Sequence, residues 1–155
     1  MNGILNLLLI TLLSMLPFWE ARYTIPIIIM KYEYPFSILL IFIAILSNFI
    51  PALFVLKFLQ PIEKWLRKWK IWDNIFNKIF EHTRKKTKKS IEKWESFALI
   101  IFVAIPLPVT GAWTGSLAAY LFGLDYKKSL LCIFIGICIA SIIAATATIV
   151  GIKII

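Results

Sequence analysis

The stretch Ile105-Pro106-Leu107-Pro108-Val109-Thr110-Gly111-Ala112-Trp113-Thr114-Gly115 decides the fold of this chain. It interrupts the apolar stretch 97–123, which is otherwise long enough to cross a bilayer as one helix. Each proline lacks an N–H donor and clashes with the helical turn before it, so this pair of prolines ends a helix. The sequence therefore predicts two short helical pieces, 97–105 and 115–123, that form a re-entrant hairpin.

The apolar stretch 4–30 is also interrupted near its middle by residues that break a helix. It is interrupted by two prolines and two charged residues, which are Pro17, Glu20, Arg22 and Pro26. The pieces 4–16 and 23–30 are too short to cross a hydrocarbon core of about 30 Å at 1.5 Å per residue. They predict another re-entrant hairpin, which enters and leaves the membrane on one face.

Two further apolar stretches, 35–58 and 127–150, predict transmembrane helices. The order is then hairpin, span, basic loop, hairpin and span. Because the loop joins the two halves on one side, the hairpins enter from opposite faces, and the halves form an inverted-topology repeat of the kind found in secondary transporters. Four full crossings stay open as an alternative, although a hairpin over 97–123 returns Lys127 and Lys128 to the side of the basic loop.

The composition excludes an ordinary soluble domain, because 61% of the 155 residues are hydrophobic and 16% are charged, against about 25% charged in soluble domains. The net charge is +9, and twelve of the seventeen Lys and Arg residues lie between Lys57 and Lys93. The positive-inside rule places such a loop in the cytoplasm, against anionic headgroups. We therefore expect a single multi-pass domain, 1–155, in the plasma membrane, with the lipid bilayer as partner and no nucleic acid.

The basic cytoplasmic segment 59–96 contains a predicted amphipathic helix. Its apolar residues recur at spacings of three and four, and they are Ile62, Trp65, Leu66, Trp69, Trp72, Phe76, Ile79 and Phe80. Tryptophans opposite basic residues are typical of a helix on the inner leaflet. We expect five residues at the membrane surface, which are Trp65, Arg67, Lys68, Trp69 and Trp72. In the alternative, the same helix packs against the ends of the other helices.

Glu20 and Arg22 are the ionisable residues of the first hairpin. A charge at membrane depth costs on the order of 2.5–3.5 kcal/mol, so such residues normally face a cavity or each other. Their spacing puts both side chains on one cavity only if residues 18–24 are not helical. In the alternative, the turn lies at the headgroup level and water solvates both charges.

The second interruption combines helix breakers with hydroxyls and glycines. Free N–H groups at the start of the helix 115–123 predict a site for an anion such as a phosphate, with Arg22 as its countercharge. Besides Glu20 and Arg22, the candidate substrate or ion contacts are Pro26, Asn48, Pro106, Pro108, Thr110, Gly111, Trp113, Thr114 and Gly115. In the alternative, Thr110 and Thr114 only satisfy backbone groups, and Asn48 joins two helices by a hydrogen bond.

The sequence predicts neither an enzyme nor a metal or cofactor protein. The single histidine, His82, has no cysteine or acidic cluster at ligand spacing. Cys132 and Cys138 lie on different faces of the last apolar stretch and are expected to be packing residues. No Ser/His/Asp set and no phosphate-binding loop can be assembled.

The two interruptions resemble those of a known family, the small multidrug export proteins. The first, Pro17-Phe18-Trp19-Glu20-Ala21-Arg22-Tyr23-Thr24-Ile25-Pro26, is similar to the family's Glu-x-Arg-Gly-x-x-Pro. The second, at 105–115, is similar to its Pro-x-Pro-Gly-Thr-Gly-Ala-Trp-Thr-Gly, and the likeness extends over most of the chain. Tyr23 and Val109 stand where the family usually has glycine.

The resemblance implies paired re-entrant hairpins, and the family looks distantly related to the DedA/VTT membrane proteins. In those relatives, acidic and arginine residues of the hairpins are tied to flipping of polyprenyl-phosphate or phospholipid headgroups, driven by the proton-motive force. By this likeness, Glu20 is the proton-responsive residue and Arg22 is the anion contact.

We therefore expect a small secondary transporter or lipid flippase, with or without proton coupling, that moves an anionic, lipid-phosphate-like or other small substrate. Its site lies near the midplane, between the two hairpins. Two spans leave little surface to seal a pathway, so we expect a homodimer or a higher homo-oligomer. The alternative is a non-transporting membrane-organising or assembly subunit that acts through its basic amphipathic helix.

Overall fold

The chain is all helical in the part that the structure, a computed structural model, describes, which is residues 3–70, 73, 74, 77, 89–107 and 110–154. The predicted helical class is confirmed, since no strand occurs in these ranges. The longer helices within these described ranges are α1 Gly3–Met15, α2 Glu20–Lys31, α3 Phe36–Leu66, α4 Lys89–Ala104, α5 Ala112–Phe122 and α6 Tyr126–Ile154.

Two of these helices, α3 and α6, are long and apolar enough to cross a membrane. They contain the predicted spans 35–58 and 127–150 almost entirely. Helix α3 continues past the predicted end at residue 58 to Leu66. The reason is that the helical spacing of apolar residues persists through Ile62, Trp65 and Leu66, so the first turn of the expected amphipathic helix belongs to α3.

The other four helices are short. Helices α1, α2, α4 and α5 have 13, 12, 16 and 11 residues, which corresponds to about 17–24 Å at 1.5 Å per residue. Each is shorter than a hydrocarbon core of about 30 Å. The first pair is interrupted at residues 16–19 and the second between Ala104 and Ala112.

The helices pack as two similar sets. Helix α1 packs on α3 as α4 packs on α6, and α2 and α5 each contact both long helices. The buried apolar residues form one cluster around Ile25, Ile28 and Leu40, and another around Val103 and Ile133. The second helix of each short pair therefore lies between the two long helices.

Two glycines allow close packing around Val103 of α4. A Cβ on Gly115 of α5 would lie 2.5 Å from Cγ2 of Val103. A Cβ on Gly136 of α6 would lie 2.6 Å from Cβ of Val103 and 3.1 Å from the carbonyl oxygen of Ile100. Small residues of this kind let helices approach closely, so Val103 fixes the packing of three helices.

Large apolar side chains cover much of the outer surface. Leu12 of α1 is 60% exposed and Leu131 and Ile142 of α6 are 61% and 62% exposed. Contiguous exposed apolar surface is uncommon in soluble monomers and typical of a protein covered by lipid. Together with the length of α3 and α6, this surface indicates a membrane location.

Candidate functional site

Arg22 connects the two interruptions of the short helices. Its Nη1 donates to the carbonyl oxygen of Leu107 at 2.7 Å and to Oγ1 of Thr110 at 3.2 Å. Its Nη2 donates to Oε2 of Glu20 at 2.6 Å. The planar guanidinium is suited to this because it carries several donors in a fixed geometry. One side chain therefore holds residues from both halves of the chain.

Glu20 has an unusual backbone conformation. It is the first residue of α2 and has φ of 49°, in the left-handed region, which costs roughly 1–2 kcal/mol for a residue with a side chain. Residues two apart on a regular helix do not face each other. Their spacing predicts a shared site only if residues 18–24 are not helical, but α2 begins at Glu20. The left-handed conformation of this one residue brings its carboxylate to Arg22 all the same.

The ion pair is buried. Glu20 is 3% exposed and Arg22 is 7% exposed, so the alternative in which water solvates both charges does not fit their positions. A buried charge is stable only when it is paired and hydrogen-bonded. Two further groups bond to the Glu20 carboxylate, the side-chain amide of Asn48 and the backbone N–H of Ala112.

Gly111 is required where the two interruptions meet. A Cβ at this position would lie 2.0 Å from Oε2 of Glu20 and 2.3 Å from Nη2 of Arg22. Ala112 begins α5, so the Glu20 carboxylate lies at the positive end of this helix. The sequence predicted an external anion near this helix start, and the structure places a carboxylate of the chain itself there.

The hydroxyls and the tryptophan of the second interruption also have partners. The Thr110 hydroxyl lies 2.8 Å from the carbonyl oxygen of Ile105, to which it can donate. Oγ1 of Thr114 accepts from the N–H of Gly111 at 3.0 Å, which completes the start of α5. Nε1 of Trp113 donates at 2.9 Å to the carbonyl oxygen of Met15, the last residue of α1. Trp113 thus connects α5 to the first interruption.

The structure brings together part of the predicted residue set. Glu20, Arg22, Asn48, Thr110 and Gly111 share one set of contacts, with Trp113 and Thr114 beside them. Gly115 packs against Val103 instead, and Pro26 lies inside α2. Pro106 precedes the Leu107 carbonyl that Arg22 binds, and Pro108 lies outside the described residues.

Sequence reasoning missed the backbone groups of the site. The carbonyl oxygens of Met15 and Leu107 and the N–H of Ala112 are central contacts. Every residue type offers these groups, so no residue identity signals their role. A partial signal exists in the proline interruption itself, because residues next to a helix break have backbone groups that need other partners.

The residues predicted to lie at the membrane surface are found at the end of α3 and just beyond it. Trp65 and Trp69 are each 58% exposed and their ring centroids are 5.5 Å apart, and Lys68 is exposed. The chain turns at residues 67–69, so the predicted helix over 62–80 is not continuous there. Trp72 lies outside the described residues.

Arg67 is held by acidic residues of its own segment. Its Nε lies 2.6 Å from Glu63 and its Nη1 lies 2.7 Å from Asp73. The hydrogen bond with Glu63, supported by Asp73, raises the pKa of Arg67 above its usual value. Tyr120 of α5 also donates a hydrogen bond to Glu63, so this group joins the end of α3 to α5.

The described ranges contain no group of three or more His, Cys, Asp and Glu residues that could hold a metal ion. Cys132 is buried and Cys138 is half-buried, and both are free thiols.

One family model matches the chain. It carries the description "Putative small multi-drug export protein", and it matches residues 20–143, which include α2, the second interruption, all of α3 and most of α6. No curated protein and no solved structure matches the chain.

Proposed function

Because the chain belongs to the family of small multi-drug export proteins, we propose that it is a small secondary transporter whose pathway is closed by the Glu20–Arg22 ion pair. The match over residues 20–143 confirms the resemblance to this family, while the relation to DedA/VTT proteins stays a prediction. The family name points to transport rather than catalysis, and the family together with α3 and α6 indicates a membrane location.

In this proposal, α1–α2 and α4–α5 are re-entrant hairpins that enter from opposite faces and belong to an inverted repeat. Supporting this, each helix of these pairs is too short to span the bilayer alone, and each pair packs on the long helix that follows it. The contacts are also reciprocal: Arg22 of α2 binds the carbonyl of Leu107 beyond α4, and Trp113 of α5 binds the carbonyl of Met15 at the end of α1. Substrate would pass where the two interruptions meet.

The substrate in this proposal is anionic, such as the phosphate headgroup of a lipid. The described partners of Arg22 are Glu20, Thr110 and backbone carbonyls of the second interruption. An anion that binds the Nη2 end of the guanidinium takes the place of the Glu20 carboxylate. Arginine recognises phosphate and carboxylate through the same pair of donors, so the exchange is chemically matched.

Displacement of the Glu20 carboxylate from Arg22 couples anion binding to proton binding. A carboxylate that loses its cation in a buried site must be neutralised, and a proton on Glu20 does this. The site then holds a neutral carboxyl, Arg22 and the anion, so the total charge equals that of the closed state. The amide oxygen of Asn48 is buried and has no hydrogen-bond partner in the described part of the chain, which leaves an acceptor beside Glu20 for the new O–H.

The observation that carries the proposal is the buried Glu20–Arg22 pair, bonded to residues of the other half. Membrane proteins retain buried charges chiefly for function, because the charges are costly to insert. In this proposal, segment 59–96 lies on the cytoplasmic face of the plasma membrane, as its basic residues suggest, and the presence of two candidate spanning helices per chain favours a homodimer or a higher homo-oligomer.

Reconstituted liposomes test this function. The full chain is inserted with NBD-labelled phosphatidylglycerol, and dithionite bleaches only the label in the outer leaflet. We expect the wild-type protein to expose inner-leaflet label, faster with an acidic lumen, because proton and headgroup leave together. Glu20→Gln and Arg22→Ala should each abolish this movement.

The matched control is Glu33→Gln, which removes an exposed acid just beyond the end of α2 that is remote from Glu20 and should flip label at the wild-type rate. Movement that is absent from the wild-type protein, or equal in the wild type and both site variants, would contradict the proposal. Either result would favour the alternative function, that of a membrane-organising subunit that does not transport.

A further inference from the structure

A cavity of about 260 Å³ lies where α3, α5 and α6 meet. Its lining residues come from the second half of α3, from the end of α5 with the turn after it, and from the start of α6, and they are Leu56, Gln60, Tyr120, Gly123, Leu124 and Tyr126. Gln60 and Tyr126 are exposed, so the cavity is reached from the end of the molecule that carries them. The amide and the two phenol groups give this cavity polar walls as well as apolar ones.

Small buried side chains separate this cavity from the Glu20–Arg22 pair. One buried cluster contains the lining residue Leu56 together with Ala52, Ala112 and Ala119. The N–H of Ala112 bonds to the Glu20 carboxylate, so the same cluster reaches the ion pair. Ala112 and the lining residue Tyr120 are eight residues apart on α5, which is about 12 Å along the helix. The cavity and the ion pair are therefore about two helical turns apart, with α3 and α5 on either side of the way between them.

A hydrogen bond joins α3 and α5 at the cavity. The Tyr120 hydroxyl donates to Oε2 of Glu63 on α3, and Arg67 donates to the other carboxylate oxygen at 2.6 Å. A hydrogen bond to a charged acceptor is stronger than one between neutral groups. Inward of this bond, Ala52 and Ser116 are fully buried and small. A small separation of α3 and α5 at this end would therefore open a route for water and polar groups, and the Tyr120–Glu63 bond opposes that separation.

We propose that this cavity is the entrance through which an anionic lipid headgroup reaches the Glu20–Arg22 pair, and that the Tyr120–Glu63 hydrogen bond holds the entrance closed. The entrance rests on the proposed function, because it leads to the same ion pair. The lysines nearest to the lining residues in sequence are exposed, and they are Lys57, Lys64, Lys127 and Lys128. Lysines at a membrane surface attract anionic headgroups. A phosphate oxygen can also replace the Glu63 carboxylate as the acceptor for the Tyr120 hydroxyl, so the arriving headgroup favours opening.

Two alanines of α3 provide a matched test of the entrance. Ala52 and Ala44 are both fully buried, and each lies four residues from Asn48, whose side chain bonds to Glu20. Ala52 is one turn further along α3 toward the cavity, whereas Ala44 is one turn further from it. An entrance that opens at the cavity exposes position 52 before the ion pair is reached, and it leaves position 44 covered behind the pair.

The measurement is the rate at which a cysteine at either position reacts with a membrane-impermeant methanethiosulfonate in nanodiscs. The full chain carries Cys132→Ala and Cys138→Ala, so that the introduced thiol is the one that reacts. We expect Tyr120→Phe to raise the rate for Ala52→Cys by about tenfold, because a hydrogen bond to a charged group stabilises the closed state by about this factor, and the rate follows the open population. The rate for Ala44→Cys should stay within about twofold, since closed parts of the structure keep their protection.

Two further variants make the result specific. Tyr126→Phe removes the hydroxyl of the other tyrosine in the cavity and should leave the rate for Ala52→Cys unchanged. Ser116→Cys is a second reporter, at a fully buried position of α5 one turn from Tyr120, and it keeps nearly the size of the native side chain. Its rate should rise with Tyr120→Phe as the rate for Ala52→Cys does, so a folding defect of one reporter does not decide the test.

Unchanged rates for Ala52→Cys and Ser116→Cys in Tyr120→Phe would overturn the proposal. Equal increases at positions 52 and 44 would show a general loosening of the protein and would overturn it as well. In liposomes, complete reaction at position 52 should abolish the flipping of labelled lipid. Continued flipping would show that headgroups pass elsewhere, which would overturn the entrance and leave the proposed function standing. The thiol rates need no transport, so a wild-type protein that does not flip lipid contradicts the proposed function, whereas the rates at position 52 decide whether the Tyr120–Glu63 bond closes the cavity.

Discussion

Arg22 and Leu107 join the two helix interruptions through a hydrogen bond of 2.7 Å between Nη1 and the carbonyl oxygen. Trp113 and Met15 make the equivalent bond in the other direction, at 2.9 Å. In both cases, a side chain from the start of one short helix donates to a carbonyl oxygen of the other pair, at Met15, which ends α1, or at Leu107, three residues beyond the end of α4. Carbonyls at helix ends lack intrahelical partners, so the exchange ties the two interruptions into one unit.

Neutralising Glu20 and Arg22 together should lower the free energy of unfolding by less than the sum of the losses caused by the two single changes. Glu20→Gln or Arg22→Gln alone leaves a buried charge without its partner, which costs about 3–5 kcal/mol. The double variant removes both charges, so its loss should be about 2 kcal/mol smaller than the sum of the single losses. Unfolding in mixed detergent micelles measures the three free energies.

The matched control is the pair Glu63 and Arg67, whose side chains are 14% and 28% exposed. The same cycle with glutamine there should give a coupling below about 1 kcal/mol, because water screens the charges. Equal coupling in the two cycles would argue against a special role for burial at Glu20 and Arg22.

Gly111→Ala should prevent the ion pair from forming in its present position. The added Cβ would lie 2.0 Å from Oε2 of Glu20 and 2.3 Å from Nη2 of Arg22, and two charged groups would have to move out of a buried site. We expect a loss of more than about 3 kcal/mol in unfolding free energy and no flipping activity.

Gly151→Ala is the control for the glycine change. Gly151 lies in α6 with nothing within 4 Å of its added Cβ, so alanine should be neutral or up to about 1 kcal/mol more stable through helix propensity. Wild-type stability in Gly111→Ala would mean that the close approach of Glu20 to this backbone is not required.

Trp113→Phe should weaken the connection between α5 and α1 without changing any charge. The variant keeps an aromatic ring but lacks the N–H that binds the Met15 carbonyl, so the loss should be about 1 kcal/mol. Hydrogen exchange should accelerate at the end of α1 and at the start of α5. Trp94→Phe, at a side chain that is 72% exposed, should change neither measurement.

The features of the fold that the sequence predicted are those that depend on individual residues and their near neighbours. Prolines and glycines act on their own backbone, so the interruptions near Pro17 and Pro106 and the apolar character of α3 and α6 could be predicted without knowledge of packing. The end of α3 was predicted too early because the helical spacing of apolar residues continues to Leu66. The expected amphipathic helix is interrupted by the turn at residues 67–69, where Arg67 forms an ion pair with Asp73.

The candidate site was harder to predict because its contacts are between distant residues and the backbone. The spacing of Glu20 and Arg22 indicated an extended turn, whereas one residue in the left-handed conformation inside a helix start brings them together. An anion at the start of α5 could be expected from helix electrostatics. This anion is the carboxylate of Glu20, which reaches the start of α5 because α2 packs beside Gly111. Such packing between distant segments cannot be predicted from a local sequence pattern.

The packing around Val103 predicts opposite outcomes for two glycine substitutions. Gly115→Ala would meet Cγ2 of Val103 at 2.5 Å, whereas Gly136→Ala would meet Cβ of Val103 at 2.6 Å and the Ile100 carbonyl at 3.1 Å. Val103→Ala removes Cγ2 but keeps Cβ. Thermal unfolding should therefore show that Val103→Ala rescues Gly115→Ala, beyond the roughly 1 kcal/mol or more that the lost methyl groups cost, and does not rescue Gly136→Ala. Rescue of both or of neither would contradict this arrangement of α4 between α5 and α6.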